Sequence, residues 1–168
     1  LENVVNKLEE LPHNYAGAVT GYEDVVDGEV NPQPGYDGRI TYKDLTRDMY
    51  NRIGGLSILT FRADILGEIG LHDENIINST DLDFYLQILE EYDLYGIDEV
   101  LCRRFKHTES VSMNAELVAR GEKTIISKYG DKLTPENRAK RRYNRAIALA
   151  ELGKMQKASE AFRQCIRD

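Results

Sequence analysis

At 168 residues the chain has room for one ordinary domain and a small appendage, and 41% hydrophobic with 30% charged residues supplies a core and excludes a disordered composition. A formal net charge of −7 excludes a surface built to neutralise nucleic-acid phosphates. No run approaches the roughly 20 apolar residues of a membrane helix, and the N-terminus lacks the basic-then-apolar layout of a secretion signal. A cytoplasmic protein is expected, with membrane association only through a longer parent.

The chain opens at Leu1 directly on a helical pattern, with Val4, Val5, Leu8 and Leu11 at three- and four-residue spacing up to Pro12. That start leads us to expect a segment of a longer protein. Tyr15 to Val26, rich in Val, Tyr and Thr, predicts a strand or hairpin arm, and Asp27-Gly28 predicts a turn. Asn31 to Gly38, with two prolines and two glycines, predicts a loop, after which Thr41 can cap a helix reaching about Arg52. Gly54-Gly55 breaks that helix. Leu56 to Phe61 suits a short buried strand, a small helix follows to Glu68, and a loop covers Gly70 to Asn78.

Asp81 to Tyr92 predicts a helix whose apolar stripe is Leu82, Tyr85, Leu86 and Leu89, and Leu94 to Phe105 reads as two short strands around Asp98-Glu99. From Ala115 the pattern is helical throughout: Ala115 to Lys128, then Pro135 at a first-turn position introducing a helix to Leu152, then Met155 to Arg167. The basic run Arg138 to Arg145 is expected to be a solvated helix face. Cys102 and Cys165 lie far apart and read as two reduced thiols. The fold class is therefore α/β, a mixed sheet with flanking helices over residues 1–112, followed by an all-helical segment over 113–168.

The residues between Gly54 and Ser112 hold the parts of a polar cleft: a Gly-Gly turn, the acidic pair Asp73-Glu74, the pair Asp81 and Asp83, and His107 beside Thr108 and Ser110. Asp81 and Asp83 stand at a predicted helix N-terminus, where unsatisfied amides and the dipole favour an ionised carboxylate. Residues two apart on a helix point in different directions, so one aspartate is free to face a cleft while the other caps or hydrogen-bonds structure.

Gly54-Gly55-Leu56-Ser57-Ile58-Leu59-Thr60-Phe61-Arg62, Ile69-Gly70-Leu71-His72-Asp73-Glu74, Thr80-Asp81-Leu82-Asp83, Ile97-Asp98-Glu99-Val100-Leu101 and Arg104-Phe105-Lys106-His107 follow in one order and spacing. Together they resemble the second half of glycosyltransferase family 2. The resemblance covers residues 1–112 and implies a partial GT-A-type sheet. It also implies an inverting enzyme that moves a sugar from a nucleotide-sugar donor to a hydroxyl of a glycan, lipid or protein acceptor, with a divalent metal, Mg or Mn, in the complete enzyme.

By that resemblance Asp81 is the general base, with Thr80 standing where the family carries glutamate and Gln87 where many members carry arginine. Gly54, Gly55, Ser57, Asp73, Glu74 and Asp83 match substrate-binding positions. His107 matches a histidine that completes the metal shell or contacts the diphosphate. The glycines equally suit a tight turn, Asp73-Glu74 a solvated acidic turn, Asp83 a structural role, and His107 a structural hydrogen bond. No Asp-x-Asp precedes Asp81, so this segment is expected to hold the acceptor side and the base, to lack most donor contacts, to bind no metal itself and to be inactive alone.

Residues 134–168 resemble one tetratricopeptide hairpin through Leu149, Gly153, Met155, Ala158, Phe162 and Cys165, which implies a protein partner on the helical tail. Two rival readings follow. In one, that hairpin is an interaction module on a non-catalytic α/β support. In the other, the chain is a non-catalytic sugar-binding relative, as Thr80 and Gln87 suggest.

Overall fold

The computed structural model describes residues 1–47, 53–70, 72–106 and 114–167. The chain forms two compact units: a sheet unit of Leu1–Leu45, Asn51–Leu71 and Phe84–His107, and a helical unit of Thr46–Tyr50, His72–Asp83 and Thr108–Asp168.

The sheet unit is built on β1 (Tyr15–Val26), which matches its predicted bounds and is buried continuously from Ala16 through Gly21. Such a run is what a strand covered on both faces requires. One edge of β1 pairs in parallel with β5 (Asp93–Phe105). Its other edge pairs antiparallel with β4 (Leu59–Phe61) and then β2 (Glu29–Gln33), while β3 (Gly38–Ile40) closes against β5. The result is a five-stranded mixed sheet. Asp27 and Gly28, with φ of 51° and 86°, make the expected tight turn between β1 and β2, because a two-residue hairpin needs positive φ at both positions.

Helix α1 (Glu2–Glu10) lays Val4 and Leu8 on Ala18 of β1. Its C-terminal carbonyls are gathered by Arg62, which donates to the backbone oxygens of Leu8, Leu11 and Tyr15. Helix α2 (Tyr42–Arg47) starts in a reciprocal cap. The Thr41 amide donates to the Asp44 carboxylate at 2.9 Å and the Asp44 amide to the Thr41 hydroxyl at 3.4 Å. The rest of the predicted helix to Arg52 lies outside the described residues.

Three expectations change here. Asn31 to Gln33 belongs to β2 and not to a loop, and Pro32 is tolerated because β2 stands at the edge of the sheet among the described residues. Leu56 to Ile58 forms a 3-10 turn, so only Leu59–Phe61 is strand. Leu94 to Phe105 is one strand and not two. The parallel ladder with β1 holds from Leu94 to Ile97, shifts past Asp98-Glu99 to Val100, and shifts again past Leu101 before running from Cys102 to Phe105, so Asp98-Glu99 is part of an irregularity within one strand.

A short helix α3 (Leu66–Ile69) follows β4. Helix α4 (Thr80–Glu91) then buries Leu82, Tyr85, Leu86 and Leu89, the stripe read from the sequence. The division between units passes through α4, whose first turn counts with the helical unit.

The helical unit contains α5 (Ala115–Tyr129), α6 (Pro135–Glu151) and α7 (Met155–Cys165). Asn114 and Thr134 accept amide hydrogens at the starts of α5 and α6, and Pro135 sits where its missing N–H costs nothing. Helices α6 and α7 form an antiparallel hairpin. Ala146 and Leu149 meet Ala158 and Ala161 in one core, and the rings of Tyr143 and Phe162 stack edge to face at 5.8 Å.

The basic run on α6 is not merely a solvated face. Arg138 donates to the carbonyls of Gly130 and Leu133, Arg141 pairs with buried Glu122 at 2.9 Å, and Arg142 reaches the Gln164 carbonyl. These guanidiniums fasten α6 to its neighbours because forked donors can reach backbone oxygens that water does not. Among the described residues no helix is long and apolar enough to cross a membrane.

Candidate functional site

Asp81 and Asp83 occupy the first turn of α4, and the structure gives them different surroundings. Asp81 is half-buried, and its carboxylate accepts from the neighbouring Leu82 amide at 2.8 Å. Among the described residues no lysine or arginine pairs with it. Asp83 is 1% exposed. One of its oxygens accepts from the Lys128 ammonium at 2.7 Å and from the Tyr129 hydroxyl at 2.6 Å, both on α5. A carboxylate buried in this way needs such partners, because an unpaired charge out of water costs several kcal/mol. The two aspartates thus diverge, as two-residue spacing on a helix requires.

Asp73 is joined to Asp83 by the same lysine. Its second carboxylate oxygen lies 3.3 Å from the Lys128 ammonium, while its first accepts from the Asn75 amide and side chain at 3.0 Å each. The Asn75 amide, then the Asn75 side chain and Lys128, hold the Asp73 carboxyl below its ordinary range. Burial works against the charge on Lys128, but the hydrogen bond with Asp83 and the nearby carboxylate of Asp73 outweigh it and raise its pKa. Glu74 is exposed. Asp73, Asp81 and Asp83 therefore share the helical unit, and sequence reasoning did not anticipate Lys128 or Tyr129 beside them. A Lys-Tyr pair at the end of an amphipathic helix carries no mark of a partner 45 residues away.

Gly54, Gly55 and Ser57 belong to the sheet unit. Gly54 has φ of +64°, and a Cβ there would lie 2.7 Å from the Tyr22 ring, so both backbone conformation and packing call for glycine. The Gly55 carbonyl accepts from the Tyr85 hydroxyl at 3.2 Å, and Ser57 is exposed within the 3-10 turn. The motif's Arg62 is occupied with the end of α1, as described above. His107 lies outside the described residues.

At the other end of β1, Asp24 is buried between two cations of β5 and the residue following it. Arg104 grips it through Nε at 2.7 Å and Nη2 at 3.1 Å, and Lys106 stands 2.9 Å away. The Arg104 hydrogen bond, opposed by burial, sets its carboxyl below the ordinary value.

Among the described residues no three His, Cys, Asp or Glu side chains converge as metal ligands. Asp73 and Asp83 share the Lys128 ammonium, which already supplies positive charge to both. The described residues therefore do not fit a divalent cation. Comparison of the chain with protein-family models, with curated protein sequences and with solved structures finds no match in any of the three.

Proposed function

We propose that the chain is the acceptor-binding and catalytic-base portion of an inverting glycosyltransferase of the family 2 kind, acting on a nucleotide-sugar donor and an acceptor hydroxyl. The order and spacing of the motifs between Gly54 and His107 motivate the reading. The observation that supports it best is the contrast at the start of α4: Asp83 is committed to Lys128 and Tyr129, while Asp81, among the described residues, has its carboxylate held by a helix amide alone. A general base must be able to take a proton, and a carboxylate neutralised by a lysine is a poor one.

In this reading Asp81 accepts the proton of the acceptor hydroxyl as that oxygen bonds to the anomeric carbon. The bond from that carbon to the diphosphate oxygen breaks on the opposite face, the nucleoside diphosphate leaves with the bonding pair, and the configuration inverts. The Leu82 amide, donating to the carboxylate at 2.8 Å, orients Asp81 before the transfer. Asp73 and Glu74 border the acceptor, and Gly54, Gly55 and Ser57 belong to the segment that approaches donor and acceptor. The divalent metal that the resemblance implies enters no step assigned to these residues.

The test is Asp81→Asn in the complete transferase. Transfer should fall by roughly 10²- to 10⁴-fold, the usual contribution of a general base, with donor affinity nearly unchanged. Wild-type turnover by this variant would refute the assignment.

A further inference from the structure

We propose that Lys128, supported by Tyr129, is a positioning residue that fixes the acceptor-side loop and the helix start bearing Asp81 as one piece. The inference rests on the reading of Asp81 as the base and deepens it.

The geometry is a three-point attachment of one helix face to the segment from Asp73 to Asp83. Lys128 reaches Asp83 at 2.7 Å and Asp73 at 3.3 Å, and the Tyr129 hydroxyl reaches the same Asp83 oxygen at 2.6 Å. Two helical turns earlier on α5, Gly121 lies so close to Asn78 that a Cβ would fall 2.7 Å from the Asn78 Cβ and 2.8 Å from its carbonyl oxygen. Positions 121 and 128 share a face because seven residues are nearly two turns. Ile125, between them, is fully buried.

Asp81 lies inside the span these contacts enclose. It stands two residues before Asp83, and the Asp83 amide closes the first turn of α4 onto the Ser79 carbonyl at 3.1 Å. Ser79 itself has φ of +64°, a conformation that a residue with a side chain keeps only where its surroundings impose it. Rotation of that turn would carry Asp81 with it. Lysine suits the post because a compact ammonium on a flexible stem can serve two carboxylates arriving from different directions. Its charge persists through the neutral range, since its pKa is raised.

The experiment compares Lys128→Met, Lys128→Arg and the milder Tyr129→Phe. In the 168-residue chain, Lys128→Met should speed amide exchange at residues 76–83 by roughly tenfold or more, the scale of a lost charge-assisted hydrogen bond, with recovery in Lys128→Arg. In the complete transferase it should raise the acceptor KM and lower kcat while the donor KM stays put, with partial rescue by Lys128→Arg and a smaller shift in Tyr129→Phe. Unchanged exchange at 76–83, or loss of donor and acceptor affinity in equal measure, would overturn the positioning role. An active Asp81→Asn sinks the base reading beneath it. An inactive Asp81→Asn beside a Lys128→Met of wild-type kinetics sinks the positioning role alone.

Discussion

Two buried aspartates, one in each unit, solve the same problem by different means. Asp24 in the sheet unit takes a two-pronged guanidinium and an ammonium, and both cations keep contact with water, with side chains 33% and 54% exposed. Asp83 in the helical unit takes one ammonium and one phenol, and Tyr129 is itself buried. If Asp24 is lost, its partners rehydrate. If Asp83 is lost, the Tyr129 hydroxyl loses its 2.6 Å acceptor at a buried position. Burial of the partner, more than the number of charges, should decide the cost.

The sharpest way to break this comparison is to truncate each aspartate and measure urea unfolding. Asp83→Ala should lose about 3 kcal/mol, the scale of a broken buried pair, and Asp24→Ala about 1 to 2. The reverse order would show that charge count rules. Gly121→Ala should lose about 2 kcal/mol, because the added methyl meets Asn78 and helix backbone cannot easily yield. Such a loss would tie the stability of the Asp83 cluster to the approach of α5.

Next comes Tyr129→Phe, at about 1 kcal/mol, set against Lys106→Met at about 0.5 or less, since half-exposed ion pairs contribute little. The smallest effect is in pH. The Asp24 carboxyl is depressed by Arg104, so its stabilisation is complete above the unfolded value near 3.9 and fades as pH falls through the lower folded value. The unfolding midpoints of wild type and Asp24→Asn should therefore converge below about pH 4. Lys128 is raised, so its contribution is complete below its unfolded value of 10.5 and is lost only as pH climbs beyond it. A Lys128→Met variant should thus approach wild type only at the alkaline end.

The elements that a single stretch of chain determines were legible in the sequence. α1, β1, the Asp27-Gly28 turn and α4 with its apolar stripe all follow from periodicity and local conformation. The misread segments depend on a neighbour. Asp98-Glu99 looks like a turn until β1 is seen to pair on both sides of it, and Pro32 looks like a loop residue until β2, among the described residues, proves to be an edge strand. The candidate site divides in the same way. That Asp81 and Asp83 diverge could be read from helix geometry, whereas Lys128 and Tyr129 become visible only when residues 45 or more apart meet. The basic run on α6 was misjudged for the same reason, since its acceptors are mostly backbone carbonyls that leave no trace in sequence.

The bulge in β5 has an electrostatic consequence. Continued in the register that sets Thr20 beside Ile97, the ladder would bring Leu101 alongside Asp24; the two shifts, past Asp98-Glu99 and past Leu101, bring Arg104 instead. The residues pushed out of the ladder work as a spacer that selects a cation for a carboxylate which could not otherwise be buried. Shortening β5 there would do more than straighten a strand: it would move Asp24 out of reach of its counterion.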